Sequence, residues 1–207
     1  EATLVLKKDW AKGMTNAVLR RLLREEAPLR ARIAADERLA LAHPDWLLTR
    51  LKEVYPDTWR TIAEASNARP PLAVRVHLGK STRAAYHDRL TQAGIAARPV
   101  ADVDSALILE SPVPVEALPG FHAGEVSVQD AAAQLAAIVL DARPGERVLD
   151  ACAAPGGKAA HILERVPQAA LVALDVDAQR LERVRENFAR LGLAGAVTQG
   201  DAADPSG

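Results

Sequence analysis

The stretch that decides the fold occupies residues 150–158 and reads Asp-Ala-Cys-Ala-Ala-Pro-Gly-Gly-Lys. It follows the apolar pair Val148-Leu149, so we predict a short strand that runs into a glycine-rich turn and then into a helix beginning near Gly157. Such a turn presents free backbone N–H groups and the positive end of a helix at the carboxyl edge of the strand. The stretch therefore predicts a cradle for a nucleotide-like cofactor.

Two common phosphate-binding patterns do not fit this turn. A P-loop requires G-x-x-x-x-G-K-[ST], but Cys152 stands at the first glycine position and Ala159 at the hydroxyl position. The dinucleotide pattern G-x-G-x-x-G is also absent, and Pro155 stiffens the turn. An oxidoreductase built on the same half-fold stays open as an alternative, because a fold alone does not determine function.

The residues after the turn predict alternating strands and helices. Apolar segments predict strands at 170–174 and 196–199. The spacing of apolar residues between them predicts a helix with Asp177 as its N-cap and Gly192 at its end. Residues 147–201 are therefore typical of one nucleotide-binding half of a doubly wound parallel sheet.

Three polar side chains near the turn are candidates for a chemical role. Asp175 closes the second predicted strand about 20 residues past the turn, where an acid accepts hydrogen bonds from ribose hydroxyls. Lys158 lies in the first predicted helical turn. It could bind a ligand, but a lysine at such a position often just points to water. Cys152 is interpreted as a small polarisable residue near the cofactor rather than a nucleophile, because no base or cation is evident around it.

The turn resembles the first motif of the RNA cytosine-5 methyltransferases, D-x-C-A-A-P-G-G-K-T, and departs from it only at Ala159. This resemblance implies S-adenosylmethionine (SAM) as the cofactor. It implies that Asp175 contacts the ribose and that Asp201 lies beside the adenine ring. The remaining cofactor-binding residues that it implies are Cys152, Ala153, Ala154, Pro155, Gly156, Gly157 and Lys158.

The resemblance extends over nearly the whole chain. Residues 43–48, 67–71 and 126–131 resemble the Sun/Fmu family of bacterial 16S ribosomal RNA cytosine-5 methyltransferases, and residues 12–24 resemble the last helix of its NusB-like RNA-binding domain. The implied fold class is α/β: a truncated Rossmann-like SAM-dependent methyltransferase sheet, preceded by a small α+β (ferredoxin-like) unit and an N-terminal helical remnant. The implied domains are a NusB-like remnant at 1–42, a helical linker with the α+β RNA-contacting unit at 43–125, and the first half of the SAM-binding domain at 126–207.

The family implies methylation of cytosine at carbon 5 in 16S ribosomal RNA. Family members attack the base with a cysteine in a Thr-Cys motif and use a second cysteine in a Pro-Cys motif, and this sequence has neither. We therefore assign no catalytic residue, expect the nucleophile beyond Gly207, and expect the chain to be an internal fragment that is inactive alone. An RNA-binding or assembly module with a vestigial cofactor loop, and a transfer RNA substrate, are the alternatives. An exposed third strand would favour self-association.

Charge is divided unevenly along the chain. Residues 1–100 carry 18 Lys/Arg against 11 Asp/Glu, whereas residues 101–207 carry 8 against 16. A basic front half predicts docking to RNA, which the resemblance implies to be ribosomal RNA, although a solvated basic helix face explains the charge equally well. The sequence has no apolar run long enough for a membrane span, no metal-ligand spacing among its histidines and a single cysteine. These features predict a cytoplasmic protein with no membrane or metal partner.

The front half divides at its prolines. Residues 1–42 predict helix broken at Pro28, and residues 43–66 predict one or two further helices. Between 70 and 120 the pattern predicts strands at 72–76 and 106–109 and a helix at 82–93. An ordered linker at 111–120 and a helix at 129–140 follow. The apolar residues expected to form a buried stripe in the second helical segment are Trp46, Leu47, Leu51, Val54 and Trp59.

Overall fold

The computed structural model describes residues 1–204 of the chain. Its contacts divide the chain into two compact units, Glu1–Arg69 and Pro70–Gly207. The predicted domain boundaries at 42/43 and 125/126 stay predictions, and each unit is described below by itself.

The first unit is helical. A small core of Leu41, Leu48 and Ala63 lies between its last three helices, with Leu51 and Trp59 packed against it. None of the residues of the first three helices is buried among those the structure describes. A short 3₁₀ helix occupies Asp9–Ala11. The α-helices are α1 (Ala2–Val5), α2 (Lys12–Arg24), α3 (Glu26–Ala35), α4 (Glu37–Leu41), α5 (Asp45–Val54) and α6 (Trp59–Asn67).

Two expectations for this unit are wrong. Pro28 does not break the helix, because it lies in the first turn of α3, where its missing N–H is not needed; the chain is interrupted at Glu25 instead. The apolar stripe was also misplaced in part. Trp46 and Val54 are exposed, while the stripe omitted Leu48, which is buried.

The second unit begins with an antiparallel sheet. Its strands and helices are β1 (Leu72–Val76), α7 (Arg83–Gln92), β2 (Ala97–Pro99), β3 (Ala106–Leu109) and β4 (Val126–Val128), with a 3₁₀ helix at Val115–Ala117. In the described residues the strand order is β2-β3-β1-β4, so β1 lies inside the sheet. Tyr86 and Leu90 of α7 pack on this sheet in its hydrophobic core. Thr82 caps α7 by accepting a hydrogen bond from the Ala85 amide, as the helix predicted there requires.

A parallel sheet follows, built from α8 (Ala131–Leu140), β5 (Arg147–Asp150), α9 (Gly157–Arg165), β6 (Ala170–Asp175), α10 (Ala178–Leu191) and β7 (Ala196–Gln199). Its order in the described residues is β5-β6-β7. Asp177 accepts hydrogen bonds from two amides of the first turn of α10, and Gly192 ends the helix in the left-handed conformation, as predicted. The α/β fold class with a Rossmann-like half is therefore confirmed.

The hydrophobic core of the parallel sheet is built from buried residues of β6 and of the helices packed around it. Leu163 of α9, Leu171 of β6 and the α10 residues Leu181 and Val184 form this core together. The alternation of buried and less buried residues along β6 and the helical spacing along α10 explain why these elements could be predicted from the sequence.

Candidate functional site

The carboxyl ends of the parallel strands meet at one edge of the sheet. β5 ends at Asp150, β6 at Asp175 and β7 at Gln199, and the register pairs Asp150 with Ala173 and Asp175 with Gln199. Residues 151–156, called here the Gly-rich loop, connect β5 to the N-terminus of α9 at this edge. Ligands of open α/β sheets bind in this position.

Backbone hydrogen bonds hold the Gly-rich loop against β6. The Ala153 amide donates to the Leu174 carbonyl over 3.0 Å, and the Gly156 amide donates to the Ala153 carbonyl. The peptide bond between Ala154 and Pro155 is cis. The loop is therefore a defined turn packed on the neighbouring strand.

Side chains of α10 hold the other face of the loop. Arg180 Nη2 donates to the Ala154 carbonyl over 2.8 Å, and Asn187 Nδ2 donates to the Pro155 carbonyl over 3.0 Å. Both bonds engage carbonyl oxygens, so they fix the direction of the peptide planes around the cis bond. Sequence analysis missed both residues because they sit on a helix face without a motif of their own.

Gly156 is the one position of the loop where glycine is required by geometry. Its φ is +98°, and a Cβ added there would lie 3.2 Å from the Cα of Val184. The loop therefore passes so close to α10 that a side chain would meet backbone. No side chain caps the N-terminus of α9 among the described residues, so the first-turn amides are left for a ligand.

Asp175 is the buried carboxylate at the centre of this edge, with a side chain only 2% exposed. Oδ2 accepts a hydrogen bond from the Ala154 amide over 3.0 Å, and Oδ1 accepts one from the Asp177 amide over 3.1 Å. The amides of Asp177 and Ala154, with Arg180 nearby, hold the pKa of Asp175 below its usual value. The carboxylate is therefore ionised at neutral pH, and each oxygen keeps a further lone pair for a ligand hydroxyl.

Asp150 is a second carboxylate at this edge. It belongs to the motif at 150–158, but nothing in the sequence assigned it a role. Its Oδ1 accepts a long hydrogen bond of 3.4 Å from the Cys152 amide. Its Oδ2 is buried and has no hydrogen-bond partner among the described residues. A buried acceptor without a donor is costly, so this oxygen fits a site that a ligand donor completes.

Asp201 follows β7 at the same edge. The Gly200 amide donates to the Asp175 carbonyl over 3.1 Å, which brings the segment before Asp201 beside the end of β6. Asp201 is exposed, and its Oδ1 accepts a hydrogen bond from the Ala203 amide. The structure thus brings the Gly-rich loop, Asp175 and the approach to Asp201 together.

The remaining predicted cofactor-binding residues differ in exposure. Ala153, Ala154 and Gly156 are buried, and Gly157 is half-buried. The exposed ones are Cys152, Pro155 and Lys158. Cys152 is the only cysteine of the chain.

The largest of the described cavities is not at this edge. It measures about 550 Å³, lies beside the C-terminal half of α9 and has no residue of the Gly-rich loop in its lining. A smaller cavity of about 180 Å³ is lined by Pro155, Gly156 and Gly157 on one side and by Arg75 and Arg190 on the other. The described residues hold no group of three or more His, Cys, Asp or Glu that could bind a metal ion. No helix in residues 1–204 has the length and apolarity needed to cross a membrane.

Two family models match the chain. The model of the ferredoxin-like domain of RsmF/B-like methyltransferases matches residues 43–116. The model of 16S rRNA methyltransferase RsmB/F matches residues 137–207. The second match contains every residue of the Gly-rich loop together with Asp150, Asp175 and Asp201.

Curated proteins with the name ribosomal RNA small subunit methyltransferase B are similar to the chain throughout. The protein of Vibrio cholerae is 50% identical over 200 residues, which cover 97% of this chain and 46% of that relative. The protein of Pasteurella multocida is 50% identical over 205 residues, which cover 99% and 45%. The chain therefore spans about half the length of the curated relatives it matches.

A solved structure of a methyltransferase homolog protein from Pyrococcus horikoshii has the same fold. It is 28% identical, has a TM-score of 0.69 and covers 80% of this chain and 54% of that one. The similarity covers both kinds of sheet, since four-fifths of the chain cannot be aligned through the parallel half alone.

Proposed function

Since the chain belongs to the RsmB/F family of 16S rRNA methyltransferases, we propose that the carboxyl edge of its parallel sheet binds SAM and that the whole protein methylates small-subunit ribosomal RNA. The observation that carries the proposal is the pair of acids at this edge. Asp175 is ionised and buried against the loop, and Asp150 holds a buried oxygen without a partner among the described residues.

The charges and hydrogen-bonding groups of these residues fit SAM. SAM carries an ammonium and a sulfonium, both of which acidic neighbours favour, and its ribose offers two hydroxyl donors. Asp150 supplies an acceptor for a cationic donor group, and Asp175 supplies one for the ribose. Gly156 lets the loop pass close to α10, and the first-turn amides of α9 have no side-chain cap among the described residues, so they can donate to a ligand.

Each residue has a proposed role at the bound cofactor. The amides of the Gly-rich loop and of the first turn of α9 donate to the cofactor, Asp175 accepts from the ribose hydroxyls, and Asp201 lies beside the adenine. When bound, the cofactor supplies an electrophilic methyl group. Cys152 is proposed to lie beside the cofactor without a catalytic role.

The site of methylation is the finer part of the proposal. We propose carbon 5 of cytosine, which rests on the resemblance of the motif at 150–158, in 16S ribosomal RNA, for which the relatives' names give support. Docking of RNA to the basic front half and a cytoplasmic location are proposed on the same basis.

A binding titration tests the cofactor. We expect isothermal calorimetry of the chain to show binding of SAM and none of NADH, because the dinucleotide pattern is absent. Asp175→Asn should weaken SAM binding at least about tenfold, because an amide nitrogen cannot accept from the Ala154 amide or from ribose. Asp141→Asn is the matched control, since Asp141 is an exposed acid in a left-handed position at the end of α8, where Asn is equally at home.

The outcomes separate the candidate functions. Binding of NADH rather than SAM would favour the oxidoreductase. Binding of a 16S RNA fragment with no SAM binding would favour the RNA-binding or assembly module. Transfer of tritiated methyl groups to that RNA by the full-length protein, but not to transfer RNA, supports the substrate.

A further inference from the structure

Arg75 is a buried cation on the inner strand of the antiparallel sheet. Its side chain is 1% exposed, and its backbone is paired with Ala106 of β3 and Ser127 of β4, so its position is fixed from both sides. The guanidinium forms a two-pronged ion pair with Glu164 of α9. Nη2 donates to Oε1 over 2.7 Å and Nε donates to Oε2 over 2.9 Å.

The third nitrogen of this guanidinium reaches the start of α9. Arg75 Nη1 donates to the carbonyl of Gly157 over 2.8 Å and also to Gln129 Oε1. Gly157 directly follows the Gly-rich loop, and Gln129 directly follows β4. One side chain therefore ties the antiparallel sheet, the helix behind the loop and the segment before α8 together.

Stability alone does not explain an arginine here. A buried ion pair loses hydration on both partners, and apolar residues of similar volume stabilise such positions equally well or better. What apolar residues cannot provide is a planar fork that bonds a carboxylate and a backbone carbonyl at the same time. The bond to Gly157 is the part of the network that acts on the loop.

We propose that Arg75 is a positioning residue for the cofactor: it holds the first residue of α9, directly after the Gly-rich loop, in its ligand-binding position and makes SAM affinity depend on the antiparallel sheet. The inference rests on the proposed function, because the ligand of the loop is taken to be SAM. Binding then requires no reordering of the loop, which is the advantage of a preorganised site.

Arg190 provides a matched control, because it joins the same two layers without bonding the loop. It extends from α10 and donates through Nη1 to the carbonyls of Phe121 and Val126 and through Nη2 to Ser127 Oγ. Its guanidinium lies 4.2 Å from the centre of the Phe121 ring. A substitution at Arg190 perturbs the packing between the layers but leaves the Gly157 carbonyl with its donor.

The main variant is the double substitution Arg75→Met/Glu164→Met, which leaves no unpaired buried charge. We expect it to remain folded and to bind SAM about tenfold more weakly by calorimetry, whereas Arg190→Lys should stay within about twofold of the unchanged chain. The single substitution Arg75→Lys keeps the charge but not the fork, and the same loss of affinity is expected for it.

Cys152 offers a second readout of SAM binding, located in the loop itself, and the Arg190→Lys control separates loop positioning from general packing. As the only cysteine, and an exposed one in the loop, it can be alkylated with iodoacetamide in the presence and absence of SAM. SAM at the same concentration should protect the thiol in the unchanged chain and in Arg190→Lys. Protection should be lost in both Arg75 variants.

Two results would overturn the inference. If Arg75→Lys or the double variant is folded by circular dichroism and binds SAM within about twofold of the unchanged chain, Arg75 only stabilises the packing and does not position the cofactor. An equal loss of affinity in Arg190→Lys leads to the same conclusion. If the unchanged chain binds no SAM at all, the proposed function itself fails, and the two failures are thus distinguished.

Discussion

The two units of the chain differ in whether they bury polar and charged side chains. In Glu1–Arg69 every described ion pair joins side chains that are more than a third exposed, such as Arg30 with Glu26. Among the described residues, all the buried polar and charged side chains lie after residue 69, with Arg75, His161 and Asp175 among them. Burying such groups costs free energy unless they are hydrogen-bonded or paired, so the second unit depends on specific polar partners and the first does not.

The largest expected effect comes from a side chain placed where the Gly-rich loop passes close to α10. Gly156→Val places a β-branched residue at a φ of +98° and a Cβ 3.2 Å from the backbone of Val184. We expect a loss of about 3 kcal/mol or more in the free energy of unfolding, measured by urea denaturation, and no detectable SAM binding.

The control for this glycine lies in the first unit. Gly13 lies within α2 with nothing within 4 Å of an added Cβ, so Gly13→Ala should raise the free energy of unfolding by about 0.5–1 kcal/mol. Normal stability of Gly156→Val, or a destabilised Gly13→Ala, would show that the difference between these positions was misjudged.

Core truncation compares the two hydrophobic interiors. Leu181→Ala empties a fully buried position between α10 and the parallel sheet and should cost about 3 kcal/mol. Leu48→Ala in the small helical core should cost about 2 kcal/mol, because neighbours with little burial relax into the space. Urea denaturation followed by circular dichroism measures both, and equal losses would contradict the contrast in core depth.

Acid should destabilise the second unit through His161. Burial, with Arg75 and Arg165 nearby, lowers the pKa of His161 to about 3 from the ordinary 6.5. The folded state keeps this imidazole neutral while the unfolded chain takes up a proton, so the contribution is complete above pH 6.5 and declines as the pH falls toward 3. Asp175, whose pKa is lowered, adds a loss only as the pH falls below its usual 3.8.

The substitution His161→Gln separates the pH range in which His161 acts from the more acidic range in which Asp175 acts. It should reduce the pH dependence of unfolding between pH 6 and 4 by about 1.4 kcal/mol per pH unit, the value for one proton. An unchanged slope in His161→Gln would mean that the buried imidazole does not titrate as described.

The smallest effect is expected for an exposed arginine. Arg30 pairs with Glu26 over 2.9 Å, a distance like those of the Arg75 pair, but both partners are more than half exposed. Arg30→Ala should change the free energy of unfolding by less than about 0.5 kcal/mol, with the difference vanishing at high salt. A loss above about 1 kcal/mol in the free energy of unfolding would show that exposed ion pairs of the first unit contribute more to stability than described.

The strands and caps around the candidate site could be predicted because local patterns there agree with the tertiary structure. β6 alternates in burial, and Asp177 and Gly192 have the chemistry of helix ends. The short strands β2 and β4 were not predicted, since Ala97–Pro99 and Val126–Val128 are too short for a periodicity and depend on pairing with β3 and β1.

Site chemistry that depends on distant residues was also beyond the sequence. Arg75 and Glu164 are far apart along the chain, and nothing local indicates that one neutralises the other. Asp150 was visible as a motif letter, but only the structure reveals an oxygen without a donor. In the first unit, hydrophobicity alone could not separate the exposed Trp46 from the buried Leu48, because so little of that unit is buried.

Helix α8 contacts both sheets of the second unit. Its Ala137 lies in the core under the parallel sheet, while its Gln134 donates to the Val74 carbonyl of β1 and accepts from Ser105. When related genes are recombined, a crossover near α8 therefore combines residues from different parents in the contacts of α8 with one sheet or the other. A junction between residues 69 and 70 leaves the contacts of α8 with both sheets unchanged. Recombined libraries should accordingly inherit residues from 70 onward as one indivisible block.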